Sequence, residues 1–192
     1  MSLTDQKAAF RLRVERTLPG PGLRPVMDAS IVRFVQGYPA YRAAERVALY
    51  SPICNEPDIS ALFHTALAEG KTVCFPLCDK HAAALRFFAV REGNCFVRGA
   101  FGILEPDPKQ ALPIPEESID FILVPGLAFD LAGIRLGRGK GYYDRVLSGI
   151  GAVRCGIAYS SYVYPSLPAG PWDVKMDLVV TEQGVAYRAE KN

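Results

Sequence analysis

The spacing of apolar positions changes several times along the chain, and each change predicts an element. Over residues 5–17 apolar and polar residues mix at helical spacing, Thr4 stands where a cap is needed, and Pro19-Gly-Pro-Gly22 stops the run. A second helical stretch starts near Asp28 and carries Ile31, Val32, Phe34 and Val35. From Arg46 onward strand and helix alternate. Residues 47–50 form a short apolar strand. Ile59, Leu62, Phe63, Ala66 and Leu67 share one face of a helix that Gly70 closes. Residues 72–75 predict the next strand, and residues 85–90 and 101–104 an antiparallel pair broken at 91–94. Pro106, Pro108, Pro113 and Pro115 mark an extended connection. The bulky run at 119–124 is the clearest strand, ended by Pro125-Gly126. A helix from about Gly141 and strands at 153–159 and 177–181 complete the pattern.

Strands separated by helices imply a parallel or mixed sheet with both faces covered. The expected fold is therefore α/β: a single three-layer domain over residues 1–192, with an open, Rossmann-like sheet flanked by helices. Residues 1–45 form an N-terminal helical arm. No internal repeat or low-complexity tract interrupts this picture.

Composition narrows the partners. With 49% hydrophobic and 22% charged residues the chain has the material for a soluble core. A net charge of +2 gives no reason to expect nucleic acid or membrane. The distribution of charge says more. Residues 1–46 hold eight basic residues, among them Lys7 and Arg11, against four acids. Arg135, Arg138, Lys140 and Arg145 form a second basic cluster, and two such clusters meeting in space would suit a polyanionic ligand. The five cysteines follow no zinc or disulfide spacing, which fits a reduced, cytoplasmic protein. The first residues lack the apolar core of a signal peptide, and no run approaches membrane-spanning length. A monomer is expected, and His64 and His81 receive no role.

The chemistry concentrates in Arg135-Leu-Gly-Arg-Gly-Lys-Gly-Tyr-Tyr-Asp-Arg145, where a buried strand passes through a loop into a helix. Ligands of open α/β sheets collect outside the carboxyl ends of strands. Gly137, Gly139 and Gly141 let backbone amides approach a ligand, while Arg138, Lys140 and the helix start supply positive charge. That combination suits phosphate, and Asp144 is within reach to hold a Mg²⁺ bridging phosphate oxygens. The loop is not a Walker A motif, since Ile134 stands in place of glycine and Gly141 follows Lys140. Nor is it a dinucleotide fingerprint, because position 142 is Tyr.

Pro125-Gly-Leu-Ala-Phe-Asp130 followed by this loop resembles the signature of the 5-formyltetrahydrofolate cyclo-ligases, or methenyltetrahydrofolate synthetases. The likeness extends, more loosely, along most of the chain. Lys7 and Arg11 resemble the family's early Lys-x-x-x-Arg, which reaches ATP phosphates. Asn55-Glu-Pro-Asp58 resembles the turn whose Glu contacts folate, so Glu56 takes that place. Gly102-Ile-Leu-Glu-Pro106 is similar to the family's Gly-x-x-Glu-Pro connection, and Asp177 matches a late metal-associated Asp. Pro52-Ile-Cys54 departs from the pattern near the pterin.

The resemblance implies ATP-dependent closure of 5-formyltetrahydrofolate, in mono- or polyglutamylated form, to 5,10-methenyltetrahydrofolate. It implies ATP contacts from Lys7, Arg11, Arg135, Gly137, Arg138, Gly139, Lys140, Gly141, Tyr142 and Tyr143. Folate contacts fall to Glu56, Arg138 and Tyr142, catalysis to Arg138, Lys140 and Tyr142, and Mg²⁺ to Asp144 and Asp177. Ordinary readings stand beside these. Lys7 and Arg11 are equally the solvated charges of a surface helix, Glu56 a first-turn helix acid, Asp177 a turn residue and the two tyrosines packing groups. Trp172 reads as a loop anchor, or as an aromatic that touches folate. Three other functions remain open: another ATP- or phosphate-using small-molecule enzyme, an RNA-binding module working through the Arg/Lys/Gly loop, and a folate-binding regulator without turnover.

Overall fold

Among the described residues three helices precede the first strand: α1 (Leu3–Val14), α2 (Arg24–Gly37) and α3 (Pro39–Ala43). The computed structural model describes residues 1–14, 20–53, 55–79, 82–99 and 102–190. The expected helix end at Thr17 and Pro19, together with Cys54, His81 and the strand start at Phe101, lies outside them. Ser2, rather than Thr4, caps α1. The Asp5 amide donates to Ser2 Oγ over 3.2 Å, and the Ser2 nitrogen donates back to Asp5 Oδ2 over 3.1 Å, a reciprocal capping box. The second helix starts at Arg24, four residues before Asp28, because Pro25 in its first turn has its φ preset and has no amide to leave unpaired.

The remainder runs β1 (Arg46–Ala48), α4 (Ser60–Ala68), β2 (Thr72–Asp79), β3 (Ala84–Ala89), β4 (Phe96–Arg98), β5 (Leu104–Pro106) and β6 (Leu112–Ile114). Then come β7 (Phe121–Pro125), β8 (Ala128–Asp130), β9 (Arg135–Leu136), α5 (Tyr142–Leu147), β10 (Val153–Ile157), β11 (Val163–Tyr164), β12 (Leu178–Thr181) and β13 (Gly184–Arg188). Eight strands form one sheet in the order β13-β12-β10-β7-β1-β2-β3-β6. Its centre, β12-β10-β7-β1-β2, is parallel, and β13, β3 and β6 join antiparallel at the two sides. Every residue of β7 is buried, as expected of a strand with parallel neighbours on both sides and covered faces. Helices α2 and α4 contact each other and lie against β12 and β2 respectively, while α5 packs on β3. No helix among the described residues is long and apolar enough to cross a membrane.

The pairing corrects one expectation. β3 pairs with β2 and β6, while β5 pairs with β4 in a separate two-stranded ribbon, so the segments near 85–90 and 101–104 are not partners. The strand β13, and a small three-stranded sheet β11-β8-β9, were not expected either.

From β1 the chain crosses to β2 on one side and returns to β7 on the other. The switch between β1 and β7 opens a crevice at the carboxyl ends of the parallel strands, where ligands of such sheets bind. The β8–β9 hairpin leaves β7 there and folds back over the sheet. It can do so because Gly126 and Gly156 have no side chain. A Cβ at either position would lie 2.8 Å or 2.5 Å from the buried Phe129 ring.

Gly156→Ala is therefore expected to overpack this contact and lower unfolding free energy by about 1–3 kcal/mol. Urea unfolding would read the loss as a lower midpoint at unchanged slope. An unchanged midpoint would show that Phe129 yields freely.

Candidate active site

The loop after β7 is shaped around one buried cation. Arg135 is 7% exposed. Its Nη1 donates to Pro125 O over 3.0 Å and its Nη2 to Asp144 Oδ1 over 3.0 Å, while the guanidinium carbon lies 5.3 Å from the Tyr143 ring centre. Gly137 passes directly over this guanidinium: a Cβ there would stand 2.9 Å from both terminal nitrogens. Gly139 (φ +93°) and Gly141 (φ +69°) adopt left-handed backbone, which side chains disfavour. The helix that follows, α5, has only six residues, so loop amides and side-chain cations carry more of the positive field than its dipole.

Two cations arrive from α1, far away in sequence. Arg11 Nε donates to Gly137 O over 2.8 Å, and its guanidinium rests on Gly139. Lys7 Nζ binds both carboxylate oxygens of Asp173 at 2.6 Å. With Arg135, Gly141, Asp144 and Trp172 they line a polar cleft of about 650 Å³. Lys140 is exposed beside it, and its carbonyl accepts from Arg145 Nη2. Tyr142 packs under the Arg145 guanidinium and bonds to the Cys78 thiol, which raises its phenol pKa. The half-buried Tyr143 phenol is raised by desolvation and by the charge of Glu56, with Arg135 opposing.

A second, apolar cleft of about 500 Å³ opens beside the chain segment that follows β1. Tyr50, Ile53 and Ile59 line it, and Phe63, Phe75 and Phe96 meet edge to face in its wall. Glu56 belongs to this segment and is 7% exposed. Its turn is tightly held. The Glu56 amide donates to Ile53 O over 2.8 Å, the Ile53 amide to Glu56 Oε2 over 3.3 Å, and Arg24 Nη2 to Glu56 O over 3.2 Å. The next carbonyl, Pro57 O, accepts from the buried Tyr50 hydroxyl over 2.9 Å. Arg138 Nε approaches Glu56 Oε1 to 3.6 Å, so an ion pair joins the apolar cleft to the polar loop. Burial raises the Glu56 carboxyl pKa, and Arg138 counters only part of that rise.

The expected metal pair is not assembled. Asp177 stands at the amino end of β12, while Asp144 lines the polar cleft at the carboxyl edge of the parallel strands. The Arg154 amide, Nε and Nη2 all donate to the Asp177 carboxylate. Burial acts to raise the Asp177 pKa, but these bonds prevail and hold it below the ordinary range. Among the described residues no group of three or more His, Cys, Asp or Glu is arranged to hold a metal. Sequence reasoning also missed Arg24 and Asp173. Arg24 carried one usable signal: a cation at a helix start opposes the helix dipole, which suggests that another partner holds it there.

A model of the 5-formyltetrahydrofolate cyclo-ligase family matches residues 24–182, a span that includes both clefts' loops but not α1. The 5-formyltetrahydrofolate cyclo-ligase of Mycolicibacterium smegmatis is 39% identical over 144 residues, 70% of this chain and 72% of that one. Its counterpart from Escherichia coli K12 is 28% identical over 180 residues, covering 91% and 98%. The fold matches the NMR structure of Aquifex aeolicus 5,10-methenyltetrahydrofolate synthetase with a TM-score of 0.83 and 34% identity, over 100% of this chain and 95% of that one.

The raised Glu56 pKa has a pH consequence. The folded state keeps this proton above pH 4.5, where the unfolded chain has begun to lose it, so Glu56 contributes a stability that falls as pH rises through that window. Glu56→Gln removes this slope. The variant is expected to gain stability relative to the parent between pH 4.5 and neutrality, as read by urea unfolding across that range. A difference independent of pH would mean that Arg138 fully compensates the burial.

Proposed function

The chain belongs to the 5-formyltetrahydrofolate cyclo-ligase family and is an enzyme of that kind, and from this membership we propose that it closes 5-formyltetrahydrofolate to 5,10-methenyltetrahydrofolate at the expense of ATP. The observation that carries the proposal is the Glu56–Arg138 pair, which ties the turn beside the apolar cleft to the glycine loop that lines the polar one. The apolar cleft, with its wall of three phenylalanines, suits a flat pterin and aminobenzoyl group. The polar cleft, with Lys7, Arg11 and the glycine loop, suits a triphosphate. A folate in one and ATP in the other would meet at Arg138.

The chemistry follows from the substrate. The formyl oxygen is a poor leaving group, so it is first phosphorylated by the γ-phosphoryl group of ATP, releasing ADP. N10 then attacks the activated formyl carbon and gives up its proton, and phosphate departs. In this reading Arg138, Lys140 and the loop amides neutralise charge developing on the transferred group. Lys7 and Arg11 hold the phosphates from the α1 side, and Arg135 fixes the loop from beneath. Glu56 and Tyr142 orient the folate. Placement and charge supply most of the acceleration.

A divalent ion fits one carboxylate. Asp144 has a single oxygen engaged by Arg135 and lines the cleft, which is compatible with Mg²⁺ held by one carboxylate, phosphate oxygens and water. Asp177, committed to Arg154, is left out of that set. Mg²⁺ bound there would spread the negative charge of the phosphates.

Mixing protein, Mg²⁺, ATP and 5-formyltetrahydrofolate is expected to raise absorbance in the methenyltetrahydrofolate band, with a strict need for ATP. Arg138→Ala and Lys140→Ala should each lower kcat by about 100-fold. No rise from soundly folded parent protein would overturn the ATP-driven cyclisation.

A further inference from the structure

The polar cleft has a rim that the phosphate chemistry does not use. Trp172 is the single tryptophan of the chain, and 69% of it is exposed. Exposure of a single apolar side chain is ordinary; what sets this one apart is its position in a cleft lined by cations and glycines. It lines the same cleft as Lys7, Arg11, Gly139 and Gly141.

The turn that presents the indole is fixed from several sides. Asp173, its neighbour, accepts from the Gly170 amide over 2.6 Å and from Lys7 Nζ over 2.6 Å. Gly170 has no side chain, and a Cβ there would lie 3.1 Å from Trp172 Cε2 and 2.8 Å from Leu3 Cδ2. The indole therefore packs over the Gly170 backbone beside α1, and the rest of the ring is open. Within one cleft the chain offers a held, solvent-exposed π surface and a set of cations and amides.

We propose that Trp172 is the stacking platform for the purine base of the nucleotide whose phosphates the glycine loop and Lys7 receive. This rests on the ATP reading above and goes beyond it by assigning the base end. The other flat heterocycle in the reaction is the pterin, but the apolar cleft has its own three phenylalanines, and Trp172 is not part of its wall. Stacking uses a π face that every base has, so recognition through Trp172 favours a nucleoside triphosphate over inorganic tripolyphosphate more than one purine over another.

The single tryptophan makes the test direct. MgATP without folate is expected to change the protein's tryptophan fluorescence saturably, whereas magnesium tripolyphosphate binds with little change. By calorimetry, Trp172→Ala should weaken MgATP binding by about tenfold and leave tripolyphosphate binding as it was, and Trp172→Phe should restore most of the loss. MgATP affinity unchanged in Trp172→Ala would overturn the assignment. So would an equal loss of ATP and tripolyphosphate binding, which would make Trp172 a prop for the turn. If the parent protein binds no MgATP at all, the ATP reading fails and takes this inference with it.

Discussion

Burying the Arg135 guanidinium at the carboxyl end of β7 leaves a cation that the protein has to satisfy from its own groups, and those groups shape the loop. An unpaired charge in such a place would cost several kcal/mol, so its partners are constrained more tightly than loop residues usually are. Pro125 O ends β7, Asp144 opens α5, and Tyr143 covers the guanidinium face. The strand end and the helix start are thereby fixed at a common distance, and the segment between them has to arch over Arg135. A side chain at Gly137 would press on the terminal nitrogens of Arg135, and these would have to move off Pro125 O and Asp144 to make room. The spacing from Arg135 to Asp144 is therefore a packing requirement before it is a ligand-binding one. Arg135 Nε finds no acceptor among the described residues, so the arrangement is not fully satisfied.

The second buried charge obeys the same logic with the opposite sign. Glu56 is desolvated in a turn tied by Tyr50, Arg24 and its own amide, and its carboxylate is paired with the more exposed Arg138, with Arg135 adding a smaller attraction. The pair is asymmetric: the acid is fixed, whereas the base sits on the glycine loop and reaches across to it. A charge on the loop is thus linked to the apolar cleft through a single contact. Arg24 extends that link to α2, since it also donates to the Tyr159 hydroxyl, which in turn donates to Asp28.

These two charges explain what the sequence could and could not disclose. The run that became β7 and the Gly-Arg-Gly-Lys-Gly composition are local facts, so the parallel core and a glycine-rich basic loop leading from strand to helix were legible. Pairing is not local. The run that became β3 announces a strand with a buried face, yet nothing in its period says that β2 and β6 are its neighbours. β8 and β9 are three and two residues long, too short for any period to register, and depend on the buried Asp130 accepting the amides of Ala132, Ile134 and Leu167. The surroundings of Asp177 were hidden for a related reason. An acid before a strand looks the same whether it meets a metal or an arginine, and Arg154 faces it only because β10 and β12 pair in parallel.

The N-terminal helix raises the question of how one element can be anchored and still contribute ligands. Of α1 only Val14 is fully buried, with Leu3 and Phe10 half-buried on the same face, so apolar packing alone holds it lightly. It is docked through Lys7 to Asp173, Arg11 to Gly137 O and the Phe10 ring edge-on to Tyr164 at 5.1 Å. The cations that would meet phosphate are thus the ones that already fix the helix. The two tasks are compatible because neither side chain is used up. An ammonium has three donors, and Asp173 takes at most two of them. A guanidinium has five, and Gly137 O takes the one on Nε. Each side chain lines the cleft with donors beyond those its anchor uses. A substitution that preserves charge but loses donors, such as lysine for Arg11, would therefore separate the strut from the ligand.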